Sequence, residues 1–138
     1  MKQENTSIVL LDERGRAIMQ VRDDYLRSWH RSRFALFGGK IENGESPLEA
    51  AARELTEELG LDEKGLNYIG EKDNGLFVRH AFSYNLNGKQ LSVEEGAGYA
   101  ILNPGAHRAL ELAPGEADVI NVVQASRHQK SFFWYVRS

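Results

Sequence analysis

The chain has no cysteine. Disulfides, thiolate zinc sites and a cysteine nucleophile are therefore excluded. Any metal must be held through oxygen or imidazole, and oxygen donors suit Mg2+, Mn2+ or Ca2+. Long apolar runs are missing too. The longest, Phe132 to Val136, is far too short to span a bilayer. Met1 to Thr6 is polar and has no apolar stretch of the kind a secretory signal needs. There is also no excess of positive charge: 17 Lys and Arg face 20 Asp and Glu, for a net charge of −3. Bulk binding of nucleic acid needs the opposite balance, although a local basic pocket is compatible with it. The expectation is a soluble cytoplasmic protein with no membrane contact. With no repeat, low-complexity stretch or Pro/Ser-rich linker, residues 1–138 are expected to form a single domain, long enough to bury a core.

Ser7 to Leu11 is a short apolar run that ends in the polar turn Asp12-Glu13-Arg14-Gly15. From Arg16 to Arg22, Ala17, Met19 and Val21 alternate with polar partners. Together these predict two strands joined as a hairpin. Asp23 to Arg33 is polar and predicts a loop. Phe34 to Phe37 predicts a short strand entering Gly38-Gly39, and Lys40 to Glu42 another before Asn43-Gly44.

Pro47 to Leu59 is the clearest helix. Ser46 is a good N-cap, Pro47 fits the first helical position, Glu49 completes a capping box and Gly60 supplies the stop. Leu48, Ala51, Ala52, Leu55 and Leu59 recur at helical spacing and predict the buried stripe.

Leu66 to Glu71, Leu76 to Leu86, Gln90 to Val93 and Gly98 to Leu102 predict strands, with turn signals at Asp73-Asn74-Gly75 and Asn87-Gly88. Pro114-Gly115 opens a second helix running to about Ser126. The aromatic stretch Phe132 to Tyr135 fits either an edge strand or a packed extension, and hints at a homodimer contact. Strands on both sides of one strong helix, with a second helix late, predict an α/β or α+β fold: a mixed sheet with helices on its faces.

The first helix holds more carboxylates than a helix needs. At about 100° per residue, Glu54, Glu57 and Glu58 fall within one arc bordering the apolar stripe. Like charges at this spacing repel and weaken a helix. A solvated acidic face would look the same, but a hard divalent cation among the carboxylates would turn the repulsion into binding.

The surroundings favour the cation. Gly39 is followed after five residues by Glu45, and after seven more by Arg53-Glu54-Leu55-Thr56-Glu57-Glu58-Leu59-Gly60-Leu61. This matches every fixed position of the Nudix box, a coincidence of roughly 10⁻⁸ per start position at average residue usage. The chain therefore resembles the Nudix hydrolase family, and the strand order on both sides is similar to a Nudix domain, an α/β/α sandwich.

The resemblance implies an activity and roles for residues. The activity would be metal-dependent hydrolysis of a phosphoanhydride bond in a nucleoside diphosphate-linked compound or a nucleoside triphosphate, with Mg2+ or Mn2+ as cofactor. Glu54, Glu57, Glu58 and the carbonyl of Gly38 would be the metal ligands. Arg53 would orient the glutamates, and Glu45 would hold Arg53 and the loop–helix junction. Bound cations would neutralise phosphate charge and activate water for in-line attack. Glu54 is the expected general base; in the family Glu57 or a glutamate outside the box also serves, and Glu94 and Glu95 are candidates for that outside role. Phe37 stands where many members have proline, and could alter the loop's rigidity or add an aromatic wall to the pocket.

For substrate contacts, Arg27, Arg31, Arg33 and His30 offer charge for phosphate, and Trp29 or Tyr25 a surface for stacking. Phe77 and Arg79 share one face of their strand. His80, His107 and His128 show no metal-site spacing. Markers of ADP-ribose, dinucleoside-polyphosphate and NADH subfamilies are missing, so the substrate stays open. The alternative is a nucleotide-binding or sensing domain without catalysis, although such domains usually lose box carboxylates and this chain keeps all of them.

Overall fold

The apolar run at Ser7–Leu11 is the second half of a longer strand, β1 (Gln3–Leu11). Its first half is polar at every position and carries no strand signal. It is held in the strand by β5 (Phe77–Asn85), which pairs with β1 in parallel from Gln3↔Phe77 to Leu11↔Asn85. The computed structural model describes residues 2–22, 32–91, 98–113 and 115–126. No helix among these residues is long and apolar enough to cross a membrane.

β2 (Ala17–Val21) folds back on β1 as the expected hairpin, with Leu10 opposite Ile18. β4 (Leu66–Asp73) runs antiparallel to β5. β6 (Tyr99–Leu102) pairs antiparallel with β2, and the two-residue β3 (Phe34–Ala35) pairs with the end of β2. The sheet order is β3-β2-β1-β5-β4, with β6 also on β2. It is a mixed sheet, as expected.

Both faces are covered, which explains why the buried half of β1 reads as an unbroken apolar run rather than an alternation. Ile8 and Leu10 point to one face, where they join Phe37, Phe82, Tyr84 and the first helix. Val9 and Leu11 point to the other, where Met19 and Ala81 meet the second helix. The result is the α/β/α sandwich.

The first helix, α1 (Pro47–Leu59), has the predicted bounds. The Glu49 amide donates to Ser46 Oγ at 3.1 Å, and the Ser46 amide to Glu49 Oε1 at 2.9 Å. Gly60 ends the helix in the left-handed region at φ 66°, a conformation glycine adopts without strain. The buried stripe is shifted from the prediction. Ala51, Leu55 and Leu59 are buried, but Leu48 is 50% exposed. Helical side chains lean toward the N-terminus, so Leu48 in the first turn overhangs the end of the core. The second helix, α2 (Glu116–Ser126), buries Val119, Ile120 and Val123.

Two expected strands are corrected. Phe34–Phe37 is strand only to Ala35, because the chain then changes neighbour: Phe37 bridges Ile8 of β1 instead of continuing along β2. Lys40–Glu42 makes a single bridge, Asn5↔Lys40, before turning at Gly44 (φ 86°). Gln90 and Leu91 lie outside any strand, and the rest of that expected strand lies outside the described residues. Short 3₁₀ helices at Glu63–Gly65 and Ala106–Ala109 had no sequence signal.

Candidate active site

Four successive residues, Leu36 to Gly39, are each held by a different group. The Leu36 amide donates to Glu116 Oε2 at 2.9 Å. The Phe37 carbonyl accepts from the Ile8 amide at 2.7 Å. The Gly38 amide donates to Glu58 Oε1 at 3.2 Å. At Gly39 the carbonyl accepts from the Thr6 amide at 2.8 Å and the amide donates to Thr6 Oγ1 at 3.2 Å. This turn is therefore fixed to β1, α1 and α2 together.

Both glycines are required by geometry. Gly38 has φ 135°, and a Cβ there would lie 2.3 Å from the Thr6 carbonyl oxygen. A Cβ on Gly39 would lie 2.6 Å from Glu54 Oε1. The carboxylate of Glu54 thus occupies the space that glycine leaves open.

The three box glutamates form a gradient across the helix. Glu58, nearest the apolar stripe, is buried at 7% exposure. The Glu54 side chain is 14% exposed, and that of Glu57 is 60% exposed. Glu54 and Glu58 meet the Gly38–Gly39 turn, while Glu57 stands outward. Among the described residues no three acidic or imidazole side chains converge closely enough to hold an ion.

Arg53 ties the helix to the preceding loop. Its Nε and Nη2 donate to the two oxygens of Glu45 at 2.7 and 3.0 Å. Nη2 also donates to the Lys40 carbonyl at 3.1 Å, and Nη1 to Glu54 Oε1 at 3.0 Å. Glu57 Oε2 lies 3.5 Å from Nη1. The hydrogen bonds from Arg53, followed by the backbone amide of Glu42, hold the Glu45 carboxyl down at about 2. The same pairing pushes the Arg53 guanidinium above its ordinary value.

A cavity of about 570 Å³ opens beside this turn, on the α2 side of the sheet. Gly38 and Gly39 form part of its wall, and Lys40 lies beside them. Asn5 and Ser7 of β1 and Phe77 and Arg79 of β5 line another part, as the parallel register requires: Asn5 sits beside Arg79 on the same face. The Arg79 guanidinium lies 5.2 Å from the centre of the Phe77 ring and donates to Ser7 Oγ. It is buried, and burial pushes its pKa down. Its volume is within the usual range for small-molecule pockets.

The expected site residues divide clearly. Glu45, Arg53, Glu54, Glu58, Gly38 and Gly39 are brought together. Phe77 and Arg79 reach the cavity next to them. Phe37 does not wall that cavity: it is 1% exposed in the α1-side core, where its aromatic ring fills space between β1 and the helix. Arg33 is exposed and away from the cavity lining. Tyr25, Arg27, Trp29, His30, Arg31, Glu94, Glu95, His128 and the aromatic stretch Phe132–Tyr135 lie outside the described residues. His80 pairs with Glu4 at 2.6 Å, and His107 with Asn121 at 2.7 Å.

Sequence reasoning missed two residues. Thr6 clamps Gly39 but in the sequence only ends the polar stretch that begins at Met1. Glu116 looked like an ordinary first-turn acid of α2. In the structure it is 5% exposed, reaches back to Leu36, and faces the cavity. Its burial pushes the carboxyl pKa up.

Residues 1–123 match the NUDIX domain family. Among solved structures, the E. coli ORF135 protein superposes with a TM-score of 0.68 at 24% identity, covering 92% of each chain. The E. coli dihydroneopterin triphosphate pyrophosphohydrolase gives 0.67 at 22% identity, over 86% of this chain and 92% of that one. The NUDIX domain of Shewanella oneidensis NrtR, in complex with ADP ribose, gives 0.72 at 14% identity, over 95% and 90%. At these identities the structural likeness establishes the fold, and the match along the sequence establishes the kinship. The chain belongs to the NUDIX domain family, with every position of the Nudix box in place.

Proposed function

We propose that the chain, acting as one domain, hydrolyses a phosphoanhydride bond in a nucleoside triphosphate or nucleoside diphosphate-linked compound, with Mg2+ or Mn2+ as cofactor. The observation that carries this reading is the meeting of Glu54 and Glu58 at the Gly38–Gly39 turn, whose two glycines line a cavity of about 570 Å³.

The donor chemistry of the residues present fits a hard divalent cation. Their donors are all oxygen, and the missing Cβ of Gly39 leaves the cradle that Glu54 enters. Glu54, Glu57, Glu58 and the Gly38 carbonyl would hold the ion, with Glu94 or Glu95 as further donors. When bound, it would neutralise charge on the phosphates and activate the attacking water.

The chain's own residues supply the rest. Arg53 holds Glu54 in place through Nη1 while anchored on Glu45. A fixed carboxylate loses little freedom on reaching the reactive geometry. Glu54 is the proposed proton acceptor. Phe77 and Arg79 offer a flat ring and a buried cation to the organic end of the substrate.

Relatives of the same fold support a nucleotide-like ligand: one is a triphosphate pyrophosphohydrolase and another was crystallised with ADP ribose. The second reading, binding without catalysis, draws on the latter and on the outward stance of Glu57.

The test is a panel of canonical and oxidised nucleoside triphosphates, nucleotide sugars, ADP ribose and dinucleoside polyphosphates, each with Mg2+, Mn2+ or EDTA. Metal-dependent release of phosphate or pyrophosphate supports hydrolysis. Ligand-induced thermal shifts without any release support the binding reading.

A further inference from the structure

We propose that Glu116 is a positioning residue that couples the cavity to the Gly38 turn, holding that turn with one carboxylate oxygen and offering the other to a hydrogen-bond donor on the ligand. The inference rests on the proposed metal role of the Gly38 carbonyl.

Among the described groups that fix Leu36 to Gly39, only Glu116 comes from α2. Its Oε2 accepts from the Leu36 amide, two residues before Gly38. The link from Leu36 to Gly38 is short and stiff. Phe37 is buried, and its carbonyl is already bound to Ile8. Gly38 is in turn bound to Glu58. A shift of Leu36 therefore has few ways to be absorbed before it reaches Gly38.

The other oxygen, Oε1, is buried and has no hydrogen-bond partner among the described residues. The nearby charges of Arg79 and Arg22 act on this carboxylate, but a buried acceptor without a hydrogen bond is still destabilising. The unpaired oxygen belongs to a residue on the cavity wall. A donor such as an N–H or amino group on the ligand would complete it, and would then bear on Leu36 through the same carboxylate.

Two variants separate the roles. Glu116→Ala removes both. Glu116→Gln keeps an oxygen for Leu36 and turns an NH2 toward the cavity. Three readouts apply: amide hydrogen exchange at Leu36 in metal-free protein, Mn2+ affinity from water-proton relaxation without nucleotide, and KM and kcat on whichever of ATP, GTP, CTP and UTP the wild type cleaves fastest.

The expected result for Glu116→Ala is loss of Leu36 protection and Mn2+ binding weakened about tenfold, the usual scale for an outer contact of a metal site. Glu116→Gln should keep Leu36 protection and bind Mn2+ within about twofold of wild type, with KM raised about tenfold and kcat little changed. Mn2+ affinity in Glu116→Ala equal to wild type would overturn the coupling, as would equal loss in both variants. If Glu116→Ala does not fold, exchange at Leu36 and Mn2+ binding in Glu116→Gln decide alone: loss of both overturns the proposal. Failure of wild-type protein to bind Mn2+ would instead sink the metal-dependent reading of the site.

Discussion

Arg53 and Glu45 meet through two parallel hydrogen bonds, Nε to Oε2 at 2.7 Å and Nη2 to Oε1 at 3.0 Å. Eight positions apart, they close the loop that carries the box into the helix that completes it. Only the planar guanidinium can make this pair and still reach Glu54 and the Lys40 carbonyl. Arg53→Lys should therefore fold normally but lower turnover by about 10- to 100-fold. Steady-state kinetics beside a thermal melt checks both halves.

The same pair makes a pH prediction. The folded-state Glu45 carboxyl sits at about 2, below its ordinary 4.5. The stability it contributes is present above the ordinary value and is lost as pH falls from there toward about 2. Carbon NMR of the Glu45 carboxyl should show a midpoint near 2 in the folded protein, returning to the ordinary range in Arg53→Leu. An ordinary midpoint in the wild type contradicts the pairing.

The adjacent glycines should respond differently to alanine. Gly38→Ala combines a positive φ with a backbone oxygen 2.3 Å away, and should cost about 3 kcal/mol or more. Gly39→Ala meets the end of the Glu54 side chain, which can move. It should stay folded but lose activity. Urea denaturation and turnover, measured on both, distinguish them.

Within α1, Leu55→Ala should destabilise by about 2–5 kcal/mol, as for other fully buried leucines. Leu48→Ala should stay within about 0.5 kcal/mol, because Leu48 is half exposed. Equal costs in urea unfolding would show that the stripe read from periodicity, rather than the one seen in the structure, is correct.

What could be read from the sequence follows from what is local. The capping box, Pro47 and Gly60 act within a few residues, so α1 was predictable to the residue. The order of the box residues is likewise a short-range pattern. The start of β1 was hidden because its polar residues become strand only by pairing with β5, some 74 positions away in the register Gln3↔Phe77. Leu36 to Gly39 could not be read as a turn held from both faces, since Thr6, Glu58 and Glu116 converge there only in three dimensions. Glu116 in particular carries no signal: an acid in a first helical turn is commonplace, and its reach across 80 positions to Leu36 depends on the packing of α2.

The most direct test is metal-dependent hydrolysis in Glu57→Gln and Glu58→Gln beside wild type, across the nucleotide panel with Mg2+ and Mn2+. Each change removes a charge while keeping the side chain's shape. The account predicts a wild type that cleaves at least one phosphoanhydride and loses that cleavage in EDTA, with both variants folded and nearly inactive. Wild-type turnover that persists in EDTA, or that survives unchanged in both variants, would contradict it.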